Sequence, residues 1–382
     1  MGFADVSRAS RILDELSAAE DEELLAALGM ASDPDLALAS LARIAEREPK
    51  VRREIGADPG FRERLIVTLG ASTALGDHLA RHPADRQVLW TGGESLGSPK
   101  GTSRRAAPSA SAGGALPPAA GVVQGARVLQ GPGRPDPRDL RAELLRAVGA
   151  DPESADPVAV LPPKAQQADG LPPAGLLAAA YHRRLLHLAA RDLTGKATID
   201  EVAEELADLA GGVLEAGLAV ARHDVITATG VEREQLPRLA VMAMGKCGAR
   251  ELNYASDVDV ILVASDDTDQ AGLKLATQLA TGMIGVCGQF TPEGSIFPVD
   301  PNLRPEGRNG PLVRTLGSHL AYYDRWAKTW EFQALLKARP VAGDMQLAWR
   351  YAGAVTKLVW QASQRDNFVA DVQAMRRRVE ST

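Results

Sequence analysis

Two aspartates one residue apart, Asp257 and Asp259, stand at the head of the apolar run Val260-Ile261-Leu262-Val263. In a strand the two-residue side-chain period points both carboxylates to one face. Two like charges held together need a cation, and hard oxygen donors suit Mg²⁺ bound jointly with a substrate phosphate. A third acid, Asp300, ends the later apolar stretch Ser295-Ile296-Phe297-Pro298-Val299. The chemistry implied by three such carboxylates is metal-assisted phosphoryl or nucleotidyl transfer. An isolated Asp-x-Asp is more often a solvated turn. What separates this one is its place between a glycine-rich segment and an apolar strand.

That segment is Met244-Gly245-Lys246-Cys247-Gly248-Ala249-Arg250-Glu251-Leu252-Asn253-Tyr254-Ala255-Ser256, preceded by the apolar run 239–244. The pattern predicts strand, glycine loop, strand. Gly245 and Gly248 let the backbone approach a phosphate, and Lys246 brings positive charge beside them. Ser256 offers a hydroxyl to phosphate oxygens, while Glu251 and Asn253 are placed to brace the loop by hydrogen bonds. Beyond Asp300 come Arg304, Glu306 and Arg308. A guanidinium holds phosphate through paired hydrogen bonds, and Arg304 is the candidate for that role.

The elements that must carry these groups are mostly helical. Residues 1–92 show apolar residues at three- and four-residue spacing, as in Leu36-Ala37-Leu38-Ala39-Ser40-Leu41-Ala42-Arg43-Ile44, and predict a helical region. Residues 93–137 turn Gly/Ser/Pro/Ala-rich, a composition that cannot offset its ordering entropy by burial, and read as a linker or insert. A helical region over 138–236 follows, with a proline-rich stretch at 161–173 and strong helix signals at 176–193 and 199–225. The core over 237–345 reads as a small mixed sheet with helices on one side, an α+β fold. A further helical region over 346–382 follows. His182 and His187 lack a ligand-type partner four residues on and read as surface positions. Trp90 reads as core, and Trp326, Trp330, Trp349 and Trp360 as packing at the seam between sheet and later helices.

Composition narrows the function further. The 382-residue chain has a formal net charge of −6, which gives no broad basic surface for a nucleic-acid backbone. Nucleic acid and membrane are therefore not expected partners; no apolar run is long enough to span a bilayer. The two cysteines, Cys247 and Cys287, lack metal-ligand spacing, and no leader pattern opens the sequence. Both features fit a cytoplasmic location.

Gly-Lys-x-Gly-x-x-Glu-Leu-Asn-Tyr-x-Ser-Asp-x-Asp, followed by Asp300-x-x-Leu303-Arg304-Pro305-Glu306-Gly307-Arg308, resembles the glutamine synthetase adenylyltransferase family, a branch of the DNA polymerase β-type nucleotidyltransferases. The turn Ala190-Arg191-Asp192-Leu193-Thr194-Gly195 is also similar to that family. The resemblance implies a polymerase β-like sheet in a largely helical chain, with Asp257, Asp259 and Asp300 as catalytic metal ligands for Mg²⁺. It implies glutamine synthetase as protein substrate, inorganic phosphate, ADP or ATP as small substrates and products, and a nitrogen-signalling protein as a further partner. In the family the N-terminal half removes AMP from a tyrosine by phosphorolysis and the other half adds it from ATP. With one such core, the chain reads as the N-terminal, adenylyl-removing part of a longer bifunctional protein. The alternatives are the forward adenylyltransferase and a non-catalytic docking module.

Overall fold

The computed structural model describes residues 2–90, 133–161, 171–364 and 368–380. The expected linker lies outside the described residues up to position 132, as does 162–170 of the second proline-rich stretch.

Six helices open the chain: α1 (Val6–Glu15), α2 (Glu22–Met30), α3 (Pro34–Arg47), α4 (Lys50–Ala57), α5 (Pro59–Ala71) and α6 (Thr73–Arg81). Their starts are written locally. Asp5, Asp21, Asp33, Asp58 and Ser72 each accept a backbone N–H from the first turn they precede, so donors that a helix leaves unsatisfied are paired. The apolar faces close over Leu28, Leu38, Leu41, Ile44, Phe61, Leu65 and Leu69. A 3₁₀ turn, Pro83–Leu89, ends this region. Trp90 lies at the edge of that core, part-exposed against Phe61 with ring centroids 5.0 Å apart.

After α7 (Pro137–Ala147) come two long helices, α8 (Pro173–Leu193) and α9 (Ile199–Thr229). The α9 helix starts in a reciprocal Thr198/Glu201 capping box and stops at Gly230, whose φ of +71° ends it in the left-handed region. The α8 helix is apolar on two sides. Leu186, Ala189 and Ala190 join the N-terminal core, whereas Leu177, Tyr181 and Leu188 join the core of the sheet. That dual packing overturns the expected surface placement of His182 and His187, both of which are buried. A helix wedged between two cores has little solvent face left.

The sheet holds β1 (Leu239–Ala243), β2 (Val258–Ala264), β3 (Val299–Asp300), β4 (Val313–Thr315) and β5 (Arg339–Gly343). Antiparallel β1 lies between β2 and β5, while β3 and β4 both pair parallel with β2 on its far edge. The third strand is shorter than the predicted 295–300 run. Every residue of β1 is buried, because helices cover both faces and not one. Leu239, Val241, Val260 and Leu262 pack towards α7, α8, α9 and α11 (Gln270–Gly288). Ala240, Met242, Ile261 and Val263 pack towards α12 (Leu316–Arg325), α13 (Thr329–Leu335) and α14 (Met345–Ala362). The unbroken apolar runs in β1 and β2, without polar alternation, are what two-sided burial requires. Each large aliphatic side chain so buried stabilises the fold by about 1.5–3 kcal/mol.

On the second face the aromatic seam is built from Tyr323, Phe332 and Tyr351, with the Tyr323 and Tyr351 hydroxyls 3.0 Å apart. The expected tryptophan seam is corrected accordingly: Trp326, Trp349 and Trp360 are exposed. Helical spacing placed them on these helices without fixing which face turns inward. A last helix, α15 (Phe368–Glu380), follows.

Candidate active site

The three predicted carboxylates meet. Parallel pairing of β2 with β3 sets Asp259 opposite Asp300, and Asp257 precedes β2 by one residue. Asp257, Asp259 and Asp300 each offer an oxygen within 4.8 Å of the others. Asp259 is half-buried, and its carboxyl is pushed up to about 6 by burial and then by the charges of Asp257 and Asp300, with Lys246 pulling the other way. Such mutual repulsion among hard oxygen donors is what a divalent cation relieves. Asp300 is also oriented, since one of its oxygens accepts the Asn302 N–H at 2.7 Å.

The glycine segment differs from the expected open loop. Residues Gly245–Ala249 form a one-turn helix, α10, between β1 and β2. Gly245 has φ +52°, and a Cβ there would stand 2.3 Å from Asp259 Oδ2. A Cβ on Gly248 would stand 1.9 Å from the Lys337 carbonyl and 2.6 Å from that of Ala243. Only glycine permits these approaches. Lys246 is exposed beside the carboxylates, with Nζ 3.4 Å from Ser256 Oγ, and Ser256 in turn donates to the Asp257 carbonyl. Glu251 pairs with Lys337 at 2.7 Å, linking the segment to the approach of β5. Asn253 is exposed.

Arg304 lies in the loop after β3. Its three side-chain nitrogens face the carbonyls of Gly310, Pro301 and Arg308 at 3.2, 2.9 and 3.5 Å. In this state it holds that loop in shape. Arg314 pairs with Glu306 on the same loop. Cys247, on the inner side of α10, is buried, which pushes its thiol up to about 11 and leaves it unsuited to nucleophilic work.

Two supports of the site carried no clear sequence signal. Asp208, about a third of the way along α9 and with its side chain 6% exposed, is approached by Arg134 (3.1 Å), Arg250 (2.5 Å) and Arg339 (4.0 Å). Arg339 also donates to the carbonyls of Cys247 and Gly248 at 2.9 and 3.2 Å, satisfying carbonyls at the end of α10. A lone acid in a helix reads as a solvated charge, so α9 hid this role. The second support is Tyr254, whose hydroxyl donates to Asp192 on α8 at 2.9 Å. Burial, and then that carboxylate, push the phenol up. The Ala190–Gly195 turn was the available signal for it.

An α+β sheet that gathers three acids at strand ends beside a glycine turn has the donor set that metal-assisted nucleotidyl transfer needs. This chain matches the model of the glutamate-ammonia ligase adenylyltransferase family over residues 177–353. It is 47% identical over 394 residues to the bifunctional glutamine synthetase adenylyltransferase/adenylyl-removing enzyme of Streptomyces coelicolor, covering 99% of this chain and 33% of the relative. Similar proteins of the same name include that of Streptomyces avermitilis, 46% identical over 99% of this chain and 32% of the relative. That of Mycolicibacterium smegmatis is 40% identical over 96% and 32%. The chain thus spans about a third of the length of these curated relatives. Among the described residues, no helix is long and apolar enough to cross a membrane.

Proposed function

We propose that this chain removes AMP from an adenylylated tyrosine of glutamine synthetase by phosphorolysis, releasing ADP. The observation that carries the reading is the convergence of Asp257, Asp259 and Asp300 beside the Gly245–Ala249 turn, in a chain whose relatives are named for both adding and removing adenylyl groups. Removal is the direction the family resemblance implies for this glycine–Asp-x-Asp core, with ATP-dependent addition as the alternative.

In the reaction an oxygen of inorganic phosphate attacks the α-phosphorus, the bond from phosphorus to the tyrosine oxygen breaks, and the phenolate takes up a proton. Tyrosine is a competent leaving group, with a phenol pKa of about 10. Asp257, Asp259 and Asp300 would hold Mg²⁺, which when bound stabilises charge on the entering and leaving oxygens. Lys246 and Ser256 would hold phosphate oxygens, and Gly245 and Gly248 would let the α10 backbone come close to them. Arg304 keeps the loop after Asp300 in place and lies near enough to that acid to feel its charge.

Incubation with adenylylated glutamine synthetase, Mg²⁺ and phosphate tests the reading. ADP should form only when phosphate is present, and not with Asp257→Asn/Asp259→Asn. Pyrophosphate release from ATP with unmodified glutamine synthetase, without ADP in the first assay, would assign the forward direction instead. A folded chain giving neither product would overturn both.

A further inference from the structure

A second cluster of ligand-type side chains lies away from the acidic trio. His78 sits in the last turn of α6 and His82 just beyond its end, four residues on, with ring centroids 5.1 Å apart. Glu293 reaches them from the Thr291–Gly294 turn that leads towards β3. One atom from each of His78, His82 and Glu293 lies within 4.8 Å of the others. We propose that these three side chains bind a divalent transition-metal ion of the zinc class, fastening the N-terminal helices to the turn before the third catalytic strand.

The donor chemistry and its surroundings favour this over a plain hydrogen-bonded cluster. Two imidazoles at four-residue spacing plus one carboxylate are a three-ligand zinc set that leaves room for water. His78 is fully buried, and Asp85 Oδ2 holds its Nε2 at 2.9 Å while its Nδ1 has no partner. A carboxylate fixing one ring nitrogen and leaving the other available is how metal-binding histidines are oriented. Glu293 is buried as well, and its Oε2 lies 2.9 Å from His82 Nε2. The groups around the cluster are Arg81, whose Nε donates to the same Glu293 oxygen at 3.1 Å, Arg183 at 3.5 Å from Asp85, and the His182 ring at 5.9 Å from that of His78. Arg81 is one-third exposed and competes with the metal for Glu293.

The test uses the full chain carrying Asp257→Asn/Asp259→Asn/Asp300→Asn, so that metal held by the acidic trio does not count. After chelation, Zn²⁺ is added by equilibrium dialysis and retained zinc is measured by mass spectrometry. Co²⁺ serves as an absorbing substitute that reports tetrahedral nitrogen and oxygen ligation. The expected result is one zinc per chain and a Zn²⁺-dependent rise in Tm. His82→Ala and Glu293→Gln should each weaken binding about tenfold or more and abolish the rise, and Arg81→Gln should tighten binding. His82 and Glu293 are the informative positions, because loss of the fully buried His78 could unfold the region. Circular dichroism confirms that each variant is folded. Zinc content unchanged in both variants, or a folded background chain that retains no zinc, overturns the proposal.

Discussion

Gly245 and Asp259 are set so closely that a methyl group on the glycine would stand 2.3 Å from the carboxylate oxygen. The glycine also has φ +52°, where an L side chain costs about 1–2 kcal/mol. Gly245→Ala should therefore turn Asp259 away from Asp257 and Asp300. An ångström-scale shift of a reacting group costs about 100-fold in rate. The expected result is a loss of ADP release of about that size, with near-native circular dichroism. Unaltered turnover would show that Asp259 does not act from the position seen.

Asp208 holds the other end of α10 through Arg339 and Arg250. Asp208→Asn removes the anion shared by Arg134, Arg250 and Arg339, and Glu204 stays beside only the first two, at 2.7 and 3.9 Å. Breaking a buried pair on one side costs about 3–5 kcal/mol. Because Glu204 still partners Arg134 and Arg250, urea unfolding should register a loss towards the low end, about 3 kcal/mol. Milder Arg250→Ala, at a more exposed partner, should leave the fold nearly intact and raise KM for phosphate more than it lowers kcat. The opposite split would mean that α10 is not a phosphate-facing element.

Much of the site could be read from residue types because strands encode it simply. Asp257 and Asp259 share a face by the two-residue period, and Asp300 ends an apolar run that pairs in register with β2. The helical form of Gly245–Ala249 could not be read that way. Two glycines in five residues have poor helix propensity, and the turn is held by Arg339, some ninety residues later, on the carbonyls of Cys247 and Gly248. The burial of His182 and His187 was likewise hidden, since it depends on α8 being clasped between two cores. The tryptophans misled for the converse reason: hydrophobic size predicts burial only on average, and Tyr323, Phe332 and Tyr351 already fill the seam.

Tyr254 ties the segment between α10 and β2 to α8 through Asp192. Tyr254→Phe keeps the ring and removes one hydrogen bond to a charged acceptor. Because the ring is part-exposed, the stability loss should be about 1 kcal/mol. Turnover should fall severalfold, since Ser256 and Asp257 lie two and three residues on. Asp192→Asn, which can still accept from the phenol, should lose less activity than Tyr254→Phe. Equal loss in both would locate the effect in the charge of Asp192 and not in the hydrogen bond.

His319, on α12 beneath the sheet, gives the fold an acid-sensitive point. Its Nε2 donates to the Leu262 carbonyl at 3.3 Å, and its Nδ1 is buried without a partner. Burial, reinforced by Arg314 and opposed by the Leu262 bond, pulls the imidazole down to about 4, against about 6.5 in the unfolded chain. Between those values the unfolded chain takes up a proton that the folded one refuses, so stability falls as pH drops below about 6.5 and is complete above it. From pH 7 to 5 this one group should account for about 2 kcal/mol of the loss. His319→Gln keeps an N–H for Leu262 and removes the titration. Its urea-unfolding free energy should fall by about 2 kcal/mol less than that of the native chain over the same interval. His187, pulled down to about 4 chiefly by burial and then by Arg191 and Arg184, adds a second contribution of the same sign. Acid sensitivity should therefore persist in part in His319→Gln. A variant whose pH dependence matched the native chain would place the titrating groups elsewhere.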